Sequence, residues 1–149
     1  MGLAWIIPKT PFRGATCHQA LPLYVQERLA ALASLDLFET DLLLESLTPK
    51  IDFLAQRLQS MTVLECVGEV RQRGMIGGIE LVRDKGTRQP FAWQDRVGVK
   101  VCLEARKRGI FLRPLGNVIV VFPPLSVSIG ELEILMDGIE ASIREVTQQ

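Results

Sequence analysis

Apolar residues recur with helical spacing in the second quarter of the chain. At steps of four, three and four along residues 41–60, they form the stripe Leu47, Ile51, Leu54 and Leu58. This pattern predicts a helix over 41–60. Pro49 lies inside that range, where it either kinks the helix or follows a fresh start capped by Thr48.

The last part of the chain has the clearest helical signals. Ser128 followed by Glu131 fits a capping box, in which each side chain bonds the backbone of the other residue. An apolar stripe then follows at i, i+3, i+4, i+7 and i+11, formed by Leu132, Leu135, Met136, Ile139 and Ile143. We therefore expect a C-terminal helix that begins after Ser128.

Between and before these segments, shorter patterns predict the remaining elements. Good helix formers after Pro22 predict a helix over 22–38, and a line of apolar residues that ends at Gly109 predicts another over 94–108. Apolar or alternating runs predict strands at 62–70, 75–82, 110–113 and 118–122. Residues 71–74 and 114–117 are expected to form turns, and 83–93 an exposed loop.

This order of elements predicts an α+β fold, with a small, mainly antiparallel sheet covered by helices on one face. We expect residues 1–21 to form an irregular arm and 22–149 a single domain. Within that domain, 22–60 is a helical lead-in and 62–149 is the sheet-and-helix core. The chain has 149 residues, a length that fits one domain.

Composition excludes several classes of function. Lys plus Arg and Asp plus Glu both number 17, so no basic excess indicates nucleic-acid binding. The apolar start of the chain is too short for a signal peptide or a membrane span. Three cysteines and one histidine lack zinc spacing, so we expect no metal site and a cytoplasmic location.

Arg113 is the strongest single candidate for a binding residue. It lies near the start of the apolar stretch "FLRPLGNVIVVFPPL", at the predicted end of a strand and just before Pro114. A planar guanidinium is suited to binding a carboxylate through two hydrogen bonds. From spacing alone, a structural partner such as a glutamate, or exposure to water, is the simpler explanation.

Other reactive residues are better explained by structure. Cys17 and His18 are sequence neighbours, whereas catalytic dyads usually converge in space from distant positions. Cys66 and Cys102 lie in apolar segments and are expected to pack in the core. Glu80 is expected to pair with a basic residue. The motif "GMIGG" lacks the lysine of a phosphate loop, and the sequence therefore indicates no catalytic residue.

Long segments from Gly74 onward resemble the C-terminal small domain of class III aminotransferases, in particular the members that act in biotin biosynthesis. The similar segments are "RGMIGGIELVRDKGTRQPF", "RVGVKVCLEARKRGIFLRPLGNVIVVFPPLSVS" and the closing helix. The resemblance covers about residues 24–147 and is strongest from 73 to 128. It implies a fold-type I enzyme that depends on pyridoxal phosphate.

The resemblance also implies roles for individual residues. Arg113 matches the arginine that binds a substrate carboxylate, and Pro114 and Gly116 match the turn that places it. Thr16, in "FRGATCHQALPL", matches the threonine of the cofactor phosphate-contacting loop.

Other parts of the family pattern are missing. No lysine lies in a motif that matches the Schiff-base lysine; the lysines are Lys9, Lys50, Lys85, Lys100 and Lys107. The resemblance therefore implies that pyridoxal phosphate belongs to the intact family enzyme and is not bound by this chain alone. As partners we expect a missing large domain or further copies of the chain in a homo-oligomer.

Overall fold

The structure is a computed structural model that describes residues 17–40 and 42–148, with side chains from residue 27 onward within those ranges. The chain divides into two compact units, residues 1–42 and 43–149. In the first unit, helix α1 spans Cys17–Thr40. The predicted start at Pro22 is therefore wrong, because the helix begins at Cys17 and Pro22 lies at its sixth position. The described leucines of α1 are exposed.

The second unit contains three helices and five strands. Its elements are α2 (Leu43–Met61), β1 (Val67–Arg73), β2 (Ile76–Asp84), β3 (Gln89–Pro90), α3 (Val97–Lys107), β4 (Arg113–Leu115), β5 (Val118–Val121) and α4 (Ile129–Thr147). A short 3-10 helix, Trp93–Asp95, precedes α3. None of the helices among the described residues is long and apolar enough to span a membrane.

The strands form one antiparallel sheet in the order β1-β2-β5-β4, with β3 paired to the end of β2. The predicted α+β fold with a small antiparallel sheet is confirmed. The strand boundaries differ from the predictions. Residues 62–66, predicted as the first part of a strand, precede β1 and form turns and a bend. Residues 71–73, predicted as a turn, extend β1, and the predicted loop over 83–93 contains β3. Pairing across a two-residue turn extends β1 because it brings Arg73 opposite Ile76.

One face of the sheet forms the core, together with α2, α3 and α4. Side chains of β2 and β5 on this face are fully buried, among them Ile79, Leu81, Ile119 and Val121. They belong to one cluster with Leu58 of α2 and with apolar residues of α3 and α4. We call this side of the sheet the inner face. Burying it contributes hydrophobic stabilisation to the unit.

The two long helices of this unit follow their sequence signals closely. Ser128 caps α4 and its Oγ accepts a hydrogen bond from the Glu131 amide at 3.2 Å, while a Glu131 carboxylate oxygen accepts one from the Ser128 amide at 2.8 Å. The predicted capping box is confirmed. Helix α2 runs without interruption past Pro49, so Thr48 does not start a new helix there.

Candidate functional site

Arg113 is the first residue of β4, an edge strand of the sheet, and its side chain is exposed. The prediction that Arg113 ends a strand is wrong. The turn at residues 116–117 places Leu115 opposite Val118, and the pairing then runs back to Arg113 opposite Val120. The strand therefore starts at the arginine, and the preceding Leu112 is buried in the core.

The strand register shows which residues share the face of Arg113. Residues directly opposite each other in antiparallel strands project to the same side of a sheet. The register links Arg113, Val120, Gly78 and Arg71 in one row across four strands. A second row on the same side consists of Leu115, Val118, Glu80 and Glu69. We call this side the outer face.

The outer face is apolar in its centre and is only partly covered in this unit. Leu115 is 73% exposed, and Ile76, at the start of β2 on the same side, is 46% exposed. Val118 and Val120 of the central strand β5 are half-buried. An apolar surface of this kind on a folded unit is typical of a ligand or domain contact.

The two arginines in the first row of the outer face differ in their partners. Arg71 pairs with Glu80 at 3.4 Å, which confirms the predicted structural partner of Glu80. Within the described part of the chain, the side chain of Arg113 makes no hydrogen bond and no ion pair. The glutamate partner that spacing alone allowed is therefore absent from the described residues. The guanidinium of Arg113 faces solvent beside an apolar surface.

The hairpin that holds Arg113 has a tight two-residue turn. Gly116 has φ +63° at the first turn position, the conformation that a type II′ hairpin turn requires there. Pro114 lies next to Arg113 in the edge strand, where the missing N–H of proline is tolerated. The segment before the strand is held by the Arg106 guanidinium, which lies 4.4 Å from the centre of the Phe111 ring.

Thr16, the predicted phosphate contact, lies outside the described residues. The backbone of Cys17 and His18 forms the start of α1, but their side chains also lie outside the description. Cys102 is buried, and burial raises the pKa of its thiol, which makes it a poor nucleophile. Cys66 is half-buried against the core. The described residues contain no group of three side chains that could hold a metal ion.

Three of the four lysines of the described ranges have hydrogen-bond or ion-pair partners. Lys50 donates to the Leu125 carbonyl at 2.9 Å, and Lys85 donates to two carbonyl groups after α2. Lys107 pairs with Glu104 at 2.6 Å. Lys100 is exposed on α3. Three of these amines are therefore engaged by carbonyl or carboxylate oxygens of the chain itself.

The model of the family "Aminotransferase class-III" matches residues 25–143, which is most of the chain. The chain belongs to the class III aminotransferases. This family depends on pyridoxal phosphate. A curated relative from Geobacter sulfurreducens, adenosylmethionine-8-amino-7-oxononanoate aminotransferase, is 60% identical over 117 residues, which are 78% of this chain and 26% of the relative.

Solved structures agree with this family. The enzyme of the same name from Methanocaldococcus jannaschii is 41% identical, with a TM-score of 0.76 over 78% of this chain and 26% of that one. An (S)-enantioselective omega-transaminase from Thermomicrobium roseum is 34% identical, with a TM-score of 0.74 over the same shares. The chain therefore spans about a quarter of the length of these relatives.

The sequence predicted Arg113 as a binding residue but did not predict its surroundings. Leu115, Val118 and Val120 were assigned only to a turn and a strand. The signal that could have shown them is the "GN" that follows Leu115, because a two-residue turn beginning at glycine fixes the register of the hairpin.

Proposed function

We propose that this chain is the C-terminal domain of a pyridoxal-phosphate-dependent aminotransferase that transfers an amino group to 8-amino-7-oxononanoate, as in biotin biosynthesis. Arg113 binds the carboxylate of that substrate. The proposal is supported by the names of the relatives and, in the structure, by the unpaired guanidinium of Arg113 at the margin of an apolar surface.

The chemistry of the substrate suits this surface. A nonanoate carries a carboxylate at the end of an aliphatic chain. The guanidinium can donate two parallel hydrogen bonds to such a carboxylate. The apolar side chains beside it, Leu115 and Val120, can pack against methylene groups, each of which contributes about 0.8 kcal/mol when buried.

We also propose that the chain alone does not transfer amino groups. In the family, pyridoxal phosphate supplies the amino-transfer chemistry, and the described lysines of this chain are engaged elsewhere or exposed. The full chain mixed with pyridoxal phosphate is expected to give no stoichiometric adduct at a single lysine after borohydride reduction. Such an adduct in the folded protein, located by mass spectrometry, would show that the chain is a complete cofactor site.

The role of Arg113 can be tested in a hybrid enzyme. The C-terminal part of the Geobacter sulfurreducens relative is replaced by the matching residues 25–143 of this chain. Activity is measured with 8-amino-7-oxononanoate and with its methyl ester, which lacks the charge. A charge-assisted hydrogen bond contributes about 1.5–3 kcal/mol, so we expect Arg113→Ala to raise KM for the acid about 10- to 100-fold.

The ester and a conservative substitution serve as controls. KM for the ester is expected to change little in Arg113→Ala, so that the preference for the acid is lost. In Arg113→Lys, KM for the acid is expected to lie between the values of the native hybrid and of Arg113→Ala, because lysine keeps the charge but not the planar fork of the guanidinium. An active hybrid whose preference for acid over ester survives Arg113→Ala would refute the proposed role.

A second candidate function is that of a non-enzymatic module that oligomerises or complements a separate large domain. The exposed leucines of α1 favour it: Leu29, Leu32 and Leu35 are each more than half exposed. Light scattering of the full chain at micromolar concentration is expected to give a dimer or larger species. A strictly monomeric chain would count against this function and leave the first candidate unaffected.

A further inference from the structure

The hairpin turn that follows Arg113 is held from three sides. Helix α3, the loop before it and strand β2 each contact the turn formed by Gly116 and Asn117. A two-residue turn between short strands does not by itself need so many contacts to form. The contacts instead fix where the end of the hairpin lies relative to the rest of the unit.

The contact with α3 depends on glycine at position 98. Gly98 is the second residue of α3 and is buried. A Cβ added there would overlap the carbonyl oxygen of Gly116 and would lie 3.2 Å from the Cβ of Pro114. The overlap with Gly116 involves backbone, which cannot rotate away as a side chain could. Any larger residue at position 98 therefore displaces the hairpin from α3.

The other two contacts are made by Asn117. Its side-chain Nδ2 donates to the carbonyl oxygen of Phe91 at 2.9 Å, in a partly buried position. Its own carbonyl oxygen accepts a hydrogen bond from the Leu81 amide at 2.9 Å. The loop between β3 and α3 and the strand β2 are thus both bonded to one turn residue. The ring of Trp93, from the same loop, lies near Gly116.

We infer that Gly98 and Asn117 are positioning residues that set the place of the Arg113 guanidinium for the substrate carboxylate. The inference rests on the proposed function and adds two residues to it. Pro114, which the added Cβ at position 98 would approach, is the neighbour of Arg113 in β4. A shift of the turn is transmitted along a three-residue strand to its first residue. Bidentate binding of a carboxylate depends on direction as well as distance, so a small shift weakens it.

The first measurement uses the full chain. Hydrogen exchange of the backbone amides in the hairpin, residues 113–121, is compared between the native chain and Asn117→Ala. Loss of the bond to Phe91 frees one side of the turn, and we expect exchange in the hairpin to become about tenfold faster while the amides of α4 keep their rates. Unchanged exchange in the hairpin would show that Asn117 does not hold it and would overturn the inference.

The second measurement uses the hybrid enzyme with the acid and its methyl ester. Gly98→Ala and Asn117→Ala are each expected to raise KM for the acid about tenfold, with kcat and the KM for the ester little changed. Gly68→Ala is the matched control. A Cβ at Gly68 would lie 2.6 Å from Val82 Cγ1, so it crowds the contact between β1 and the end of β2 without touching the hairpin turn itself. This control is expected to lower stability without a change in the preference for the acid.

Double substitutions that combine Gly98→Ala or Asn117→Ala with Arg113→Ala separate a positioning role from a general loss of folded structure. If Gly98 and Asn117 act through Arg113, neither substitution raises KM for the acid further once the arginine is gone. If Gly98→Ala and Asn117→Ala raise KM for the acid as much in the Arg113→Ala background as they do alone, the two residues only support the fold. That result would overturn the inference. If Arg113→Ala itself leaves the preference for the acid intact, the proposed function fails instead. Asn117→Ala gives the result independently if Gly98→Ala does not fold.

Discussion

The adjacent glycines of β2 are expected to respond in opposite ways to the same substitution. Gly77 lies on the inner face, where an added Cβ would be 2.9 Å from Leu58 Cδ1. Carbon atoms in contact normally lie roughly 3.5–4.0 Å apart. Leu58 is 1% exposed and is packed within the core cluster. Gly78 lies on the outer face, where the nearest atom to an added Cβ, Val118 Cγ1, is at an ordinary 3.5 Å.

These distances give the expected magnitudes. Overpacking a core costs about 1–3 kcal/mol, so Gly77→Ala is expected to be destabilising even after the gain of about 0.4–1 kcal/mol from a stiffer unfolded chain. Gly78→Ala keeps that gain without a clash and is expected to be neutral or slightly stabilising. The two variants should therefore differ by about 2 kcal/mol in the free energy of unfolding.

Urea denaturation of the full chain, followed by circular dichroism, measures this difference. With m about 1–3 kcal/mol/M, a difference of that size separates the midpoints by roughly 1 M. Leu58→Ala provides the decisive background, because it removes the atoms that the new methyl group meets. In the Leu58→Ala background, Gly77→Ala should lower the free energy of unfolding only slightly. The coupling energy between the two substitutions is then about 1–2 kcal/mol. Equal midpoints for the two glycine variants, or strict additivity with Leu58→Ala, would refute the reasoning.

Three further outcomes follow from the described contacts. Hydrogen bonds from the backbone and hydroxyl of Ser128 lower the pKa of Glu131. The ionised carboxylate therefore contributes stability above its ordinary pKa, and this contribution is lost as pH falls through the pKa of the folded chain. The difference in the free energy of unfolding between the native chain and Glu131→Gln, measured by denaturation from pH 7 to 3, should shrink towards low pH. Burial raises the pKa of Cys102, so iodoacetamide should modify Cys66 faster in the folded chain, as peptide mass spectrometry will show. Arg113→Ala should change the free energy of unfolding by less than about 0.5 kcal/mol, because the side chain is exposed and makes no bond within the described residues; a larger loss in urea denaturation would indicate a structural role.

Features that depend on neighbouring residues in the chain could be predicted from the sequence. Helix α4 is the clearest case, because its capping box and its apolar stripe are both local patterns. The order of helices and strands followed from similar local signals. The boundaries of β1 and β4 could not be predicted in this way. They are set by partners across a turn, which bring Arg73 opposite Ile76 and Leu115 opposite Val118.

The candidate site likewise has one part that could be predicted from the sequence and another that depends on the fold. The chemistry of a guanidinium and the resemblance to a family both indicated Arg113 without a structure. Its row of neighbours follows only from strand register. The importance of Gly98 could not be predicted, because the approach of α3 to the hairpin joins residues that are far apart in sequence and leaves no periodic signal.

The short edge strand β4 also affects how this unit meets other chains. Exposed edge strands invite pairing with strands of other molecules and so promote aggregation. Strand β4 has only three residues, one of them a proline without an N–H donor and another a charged arginine. The opposite edge, β1, carries Arg71 and Arg73 and is interrupted at Gly68, where its register shifts. Both edges of the sheet are thus poor templates for strand addition, which leaves the outer face as the side through which the sheet can be recognised.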